Sequence, residues 1–323
     1  MNYFQADYSL SIMTTPTTST ILMVRPANFG FNPETASNNF YQKQDERDAI
    51  EINHLAQKEF DGFVALLRKA GVEVIVIEDS EAPRKTDAIF PNNWFSTHED
   101  GKVILYPMFS PNRRLERRKD ILERLMQADF VINEVIDLSF FEQDEQFLEG
   151  TGSLILDRVN AIAYACRSLR THDVPLKYLG RLLDYKVVDF DATQLIEDVH
   201  SPIYHTNVMM HVGSDIAVVC LDSLPNFSEK LALQQALEST GKKIIPITPK
   251  QKFHFAGNML EVKNQQGEKF TVMSKTAYDA LSKAQIKTIE KYTKIITPEI
   301  PIIEKLGGGS ARCMMAEIFL PKN

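Results

Sequence analysis

From about residue 20 to residue 320 the chain repeats one order of signals: a polar residue leading a strand, a hairpin turn, a second strand, a helix and a third strand. The spacing is roughly 50–70 residues, and recurrence at such a period is the mark of a repeat architecture. In the first unit, Thr20-Ile21-Leu22-Met23-Val24-Arg25 is a strand stopped by Pro26. A loop over Asn28 to Asn39 follows, then an amphipathic helix from about Gln44 to Ala70, closed by Gly71, and the strand Val72 to Ile77. The second unit begins at Asp87, turns at Glu99-Asp100-Gly101, and holds a helix over Arg114 to Ala128 and a strand over Val131 to Leu138. The third and fourth turn at Asp157–Asn160 and at Gly213-Ser214-Asp215, with helices near Val174–Leu183 and Ser228–Thr240. The fifth turns at Gln265-Gln266-Gly267, with a helix near Ala277–Ala284.

The count reaches five if the first unit is closed by the strand at the far end of the chain. Each unit then leaves one polar group in the same place: Asn93, Glu149, His205, Asn258 and Cys313. Five units set radially, as in a propeller, aim these groups at one central cavity. A doubly wound sheet explains the alternation of strands and helices as well, but not why those positions hold Cys, His, Glu and Asn. The predicted fold is therefore an α/β five-bladed propeller, one domain over 19–323 behind a loose tail over 1–18.

The run Gly307-Gly308-Gly309-Ser310-Ala311-Arg312-Cys313 supports that reading. Three glycines make poor helix and poor strand, and suit a turn or a backbone that a ligand approaches closely. A thiol behind such a loop is placed for nucleophilic work. A buried core cysteine explains the same stretch, since free cysteine is among the most buried residue types.

Composition narrows the function. With 44% hydrophobic and 24% charged residues, the chain has the makeup of a globular protein with a sizeable core. A net charge of −7 and no basic run argue against nucleic acid as a partner. Cys166, Cys220 and Cys313 are few and far apart, without CxxC spacing, so a disulfide framework or zinc site is not expected and a reducing cytoplasm is. No apolar run approaches ~20 residues, so no membrane partner is expected, and residues 1–18 lack signal-peptide features. Oligomeric state is open, a homo-oligomer included.

At four motifs the chain resembles the amidinotransferase and dimethylarginine dimethylaminohydrolase superfamily, the penteins. These are Asp87-Ala88-Ile89-Phe90-Pro91-Asn92-Asn93-Trp94, Leu148-Glu149-Gly150-Thr151-Gly152, His205-Thr206-Asn207, and Gly307 to Met314. It looks most similar to the bacterial branch of citrulline-utilisation hydrolases. The resemblance implies a cofactor-free covalent reaction at the terminal carbon of an arginine-like side chain. Cys313 is the implied nucleophile, His205 the proton shuttle, and Glu149 the group that holds substrate N–H groups and orients the histidine. Asp87, Asn92, Asn93, Asn207, Asn258 and Arg113 are the implied substrate-binding positions. Arginine deiminases carry aspartates where Asn93 and Asn207 stand. An ionised Asp only accepts hydrogen bonds, whereas Asn donates too, and a ureido group has an oxygen to receive that donor. Citrulline is therefore the expected substrate, with a dimethylarginine- or arginine-type hydrolase and an amidinotransferase as alternatives.

Other candidates read more plainly. His211 is expected to support or pack, and Cys166 and Cys220 to lie in the core. Arg117 and Arg118 read as a solvated face, and Arg312 as structural. Arg113, Arg114 or Arg25 is the candidate for holding a substrate carboxylate. A metal site built from His200, His205, His211 and Glu149 is a weaker reading, because no ligand spacing supports it.

Overall fold

Helix and strand limits follow the local chemistry of the chain. In the computed structural model, which describes residues 15–323, the longest helix runs over Ala49–Lys69. The Asp48 carboxylate accepts from the N–H groups of Ile50 and Glu51 at its start, and Gly71 leaves it at a φ of +84°. Its inner face buries Ile52, Ala56, Phe60, Phe63 and Leu67 against the first sheet.

Five three-stranded mixed sheets result, each with an antiparallel and a parallel pair. The first is Thr20–Arg25 between Ala316–Glu317 and Glu73–Glu78, so the two ends of the repeat region meet in one sheet. The second joins Phe95–Thr97, Lys102–Leu105 and Glu134–Asp137, and the third Ile155–Asp157, Ile162–Arg167 and Lys186–Asp191. The fourth joins Met210–Val212, Ile216–Val219 and Lys243–Pro246, and the fifth Leu260–Lys263, Lys269–Val272 and Lys294–Ile296. Middle strands are buried almost throughout, as in Ile216–Val219, because helices cover one face and neighbouring sheets the other.

The five units are tied into a ring by hydrogen bonds between the turns and strands at their inner edges. Thr151 Oγ1 donates to Asn92 O (3.2 Å), Thr206 Oγ1 to Ser153 O (2.5 Å) and Asn258 Nδ2 to Asn207 O (3.0 Å). Arg312 N donates to Asn258 Oδ1 (3.0 Å), and Thr97 Oγ1 closes the circle on Glu317 O (2.9 Å).

Several boundaries differ from expectation. The helix expected from Arg114 begins at Lys119, because Arg118 is extended at φ −94° and ψ 121° and spends its guanidinium on Glu78 O, Asp79 and Asp120. The helix near residue 277 is two short ones, Lys275–Ala280 and Lys283–Ile289, the second opened by a Ser282–Gln285 capping box. An antiparallel hairpin, Thr193–Ile196 with Val199–Pro202, adds to the five sheets and was not expected. The loose tail ends before residue 18: Thr17 and Thr18 are buried, and Thr18 Oγ1 donates to Ile318 O. The rest of that expected tail, 1–14, lies outside the described residues.

Candidate active site

The polar residues picked out by the repeat sit on short turns at the entrance to the first strand of each unit, not on the strands. Asn92 and Asn93 are in the turn Pro91–Asn93, Glu149 caps Gly150–Ser153, and His205 precedes Thr206–Val208. Cys313 lies in the turn Ala311–Met314, directly before the strand Ala316–Glu317. Glycine makes these turns possible. Gly150 holds φ at +46° with its missing Cβ against Asn92 O, and a Cβ on Gly152 would fall 2.2 Å from Asn93 Nδ2 and 2.8 Å from His205 Nδ1.

Cys313, His205, Asn93, Asp87 and Arg113 line one cavity, together with Thr35, Asn39, Phe90, Arg170, Tyr204 and the backbone of Gly307 and Gly309. Its free volume is about 10 Å³, room for roughly one water. Wider hollows lie elsewhere, such as one of about 560 Å³ around Lys250, His254 and Asp279, but they gather no nucleophile. Chemistry rather than size picks the site.

Behind the cavity wall, Glu149 is fully buried. Its Oε2 lies 2.8 Å from His205 Nε2, 3.5 Å from Arg170 and 3.9 Å from Arg113, and its Oε1 accepts from Phe109 N (3.0 Å). Burial pushes this carboxyl up, but Arg170, the His205 hydrogen bond and Arg113 together hold it below the usual carboxylate range. Burial also lowers His205 to about 4 against the pull of Glu149. The resting pair is thus a carboxylate and a neutral imidazole whose Nε2–H donates to Oε2. That leaves Nδ1 bare as a proton acceptor.

The Cys313 sulfur, in a residue 4% exposed, accepts from Asn207 Nδ2 (3.4 Å) and Asn258 Nδ2 (3.3 Å). Arg113 is buried among Glu116 (2.9 Å), Asp87 (3.7 Å) and Asn93, whose Oδ1 accepts from it at 3.0 Å. Asp87 Oδ2 accepts from Asn32 (2.7 Å), while its Oδ1 is buried without a donor among the described residues. Burial raises the Asp87 carboxyl despite Arg113.

Other expectations need correcting. Asn92 does not line the cavity; its amide is buried without a partner among the described residues. Arg25 pairs with Asp61 and Glu78 at the surface, and Arg114 with Glu142, so neither reaches the pocket. Arg117 and Arg118 are partly buried and ion-paired to Glu142, Asp79 and Asp120, not a free solvated face. His211 is buried on Met210–Val212 and Arg312 pairs with Glu317. His200 is exposed on the added hairpin, away from Glu149, and no group of three or more His, Cys, Asp or Glu among the described residues is set to hold a metal.

Sequence reasoning missed Arg170 and the cover over the cavity. Arg170 donates to Asn38 and to Thr35 O (3.2 Å), and its guanidinium lies 4.9 Å from the Tyr204 ring. The cover is the Asn-rich loop read only as a loop: Asn39 and Gln42 donate to Gly307 O (3.3 and 3.1 Å). Tyr204 OH donates to Gly308 O from the opposite wall (2.7 Å). Tyr204 stood beside His205 in its motif; nothing in the sequence singled out Arg170.

No helix among the described residues is long and apolar enough to cross a membrane. A search of curated proteins finds no match. Solved structures do match. The substrate-bound N-terminal domain of a Cys-to-Ser mutant of ArgZ, an arginine dihydrolase from the ornithine-ammonia cycle in cyanobacteria, superposes with a TM-score of 0.66 at 17% identity, over 93% of this chain and 99% of that one. AgrE with ornithine and NAD+ gives 0.68 at 18% identity, over 94% of this chain and 40% of that one. A dimethylarginine dimethylaminohydrolase carrying an S-methyl-L-thiocitrulline adduct gives 0.62 at 14% identity, over 93% and 99%. At these identities the likeness concerns the fold, the five-bladed α/β propeller of the penteins. A family profile described as "N,N dimethylarginine dimethylhydrolase, eukaryotic" matches residues 25–320. The chain belongs to that family, carbon–nitrogen hydrolases of the pentein superfamily.

Proposed function

We propose that this protein hydrolyses the terminal carbon of an arginine-like amino acid through Cys313. The observation that carries the reading is that the Cys313 sulfur and the His205 imidazole line one cavity, with Glu149 at 2.8 Å behind the imidazole. In the first step His205 takes the thiol proton as the sulfur attacks the guanidino carbon, then passes it to the leaving amine as the carbon–nitrogen bond breaks. Water then adds to the thiouronium carbon with His205 as base, and the carbon–sulfur bond breaks to release a ureido product. Asn207 and Asn258 supply two donors to the sulfur as it gains charge. Glu149, behind the cavity wall, holds His205 in place, and the bare Asp87 Oδ1 offers an acceptor to the N–H groups of the substrate.

A guanidino substrate, arginine or an N-methylated arginine, is the first reading, supported by the family and by Asp87. Citrulline, the substrate expected from the sequence, is the second, and Asn93 favours it. Its Oδ1 is committed to Arg113, and one N–H of its Nδ2 is directed at Glu149 O (3.5 Å), which leaves one amide N–H for a ligand. A ureido oxygen accepts that donor and a guanidinium does not. Steady-state turnover of arginine, dimethylarginine and citrulline by one preparation decides between them. The first reading predicts the largest kcat/KM for a guanidino substrate; faster citrulline turnover selects the second. No turnover of any of the three refutes both.

A further inference from the structure

The run Gly307-Gly308-Gly309 leads the chain to Cys313, and three glycines do not hold a shape of their own. Side chains from elsewhere fix it. Asn39, Gln42 and Tyr204 donate to Gly307 O and Gly308 O from the cavity, and Asn258 Oδ1 accepts from Arg312 N. Ser310 is held differently. It opens the turn that carries Cys313, and its carbonyl accepts from Cys313 N at 2.9 Å. Its side chain does not cap that turn. The hydroxyl donates instead to Glu304 Oε1 (2.6 Å), on the helix Pro301–Gly307 and outside the cavity lining.

Glu304 is a costly residue for its place. It is 4% exposed on the buried face of that helix, with Ile303 and Leu306. No cation among the described residues pairs with it; its neighbour Lys305 turns to Asp45 (2.6 Å). Burial raises its carboxyl, and the hydroxyls of Ser274, Ser310 and Thr276 together with His254 offset part of that. Glu59, raised mainly by burial, feels the charge of Glu304 as well, and it already accepts from Ile302 N and Ile303 N (2.9 and 3.0 Å). Packing alone is served better by an apolar side chain of the same length. What the carboxylate adds is an acceptor for Ser310.

We infer that Glu304 is a positioning residue for the nucleophile: through the Ser310 hydroxyl it fixes the start of the turn that presents the Cys313 sulfur to Asn207 and Asn258. The inference rests on the reading of Cys313 as nucleophile. Without this anchor every reacting group is still present, but the glycine run lets Cys313 leave its line of attack. A displacement of about 1 Å costs up to about 10²-fold in rate.

Single-turnover mass spectrometry tests this by following the Cys313 adduct with whichever of arginine, dimethylarginine and citrulline the wild type turns over fastest. Adduct formation should slow about 10–100-fold in Glu304→Met and in Ser310→Ala. Glu304→Gln keeps an oxygen for Ser310 and should stay within about threefold of wild type. Ser310→Ala, the smaller change, decides alone if circular dichroism shows that Glu304→Met does not fold. In a Cys313→Ala background, Ser310→Ala should leave the calorimetric Kd for the same substrate unaltered; a merely structural role would weaken binding and adduct formation together. Wild-type adduct formation in Ser310→Ala, parallel losses of binding and rate, or Glu304→Gln as slow as Ser310→Ala overturns the inference and leaves the reading of Cys313 standing. A wild type that turns over none of the three substrates, or does so with no adduct on Cys313, overturns both.

Discussion

Glu149 and His205 illustrate how burial and neighbours divide the labour of a site between two residues. Both are sealed from water, yet two arginines keep the carboxylate charged while desolvation keeps the imidazole neutral. Such a histidine is ready to accept a proton near neutral pH. His205→Asn should lower kcat by about 10²–10⁴-fold, checked by steady-state kinetics, with the circular dichroism spectrum unchanged. Gly152 makes a sharper test of geometry, because a change there removes no chemical group. Gly152→Ala puts a methyl 2.2 Å from Asn93 Nδ2 and 2.8 Å from His205 Nδ1. Turnover should collapse to near that of His205→Asn, and an alanine variant with wild-type kcat would show that the two side chains are free to move apart.

Among elements, the turns at the inner edge of each sheet matter most, because they both carry the site and close the ring. Thr206 does the two jobs at once: its Oγ1 accepts from Cys166 N (2.8 Å) and donates to Ser153 O. Thr206→Val keeps the shape and strands both partners, so unfolding in urea should show a loss of about 1–3 kcal/mol. The loop over the cavity acts differently. A space for one water admits no amino-acid side chain, so Asn39 and its neighbours must shift before a substrate enters. Elements of this kind also show what a sequence reveals. Hairpin turns at Asp100-Gly101 and Gln266-Gly267 were legible because glycine at positive φ leaves a local signature. The single-turn segments under Asn93, His205 and Cys313 were not, since three or four residues carry no periodicity. The hairpin at 193–202 was missed because Val199 and Leu195 face solvent instead of alternating into a core. Arg170 was invisible for a related reason: its partners, Glu149, Asn38 and Thr35, come from distant parts of the chain.

For the whole molecule, the burial of histidines in a ring of polar residues couples stability to acid. Burial lowers His205 to about 4 and His211, beside Arg312, to about 3, both from 6.5. The unfolded chain therefore binds more protons between those values, and the stabilisation they bring is complete above pH 6.5 and lost as the pH falls toward 4 and 3. Glu59 and Glu116, raised by burial to about 7, act in the opposite sense over part of that range. The difference between wild type and His211→Gln isolates the histidine. In urea titrations that difference should move by about 3 kcal/mol or less in favour of the variant between pH 7 and pH 4; no movement would mean that His211 is charged when folded. Chemistry at this scale depends on units from both halves of the chain delivering their side chains to one point. Mass spectrometry of the protein quenched during turnover of arginine, dimethylarginine or citrulline tests that most directly. The account predicts a covalent adduct of the substrate's terminal carbon on the peptide containing Cys313, absent from Cys313→Ala, which should fold normally and lose turnover by about 10³-fold or more. Undiminished turnover in that variant, or an adduct on Cys166 or Cys220 instead, would contradict it.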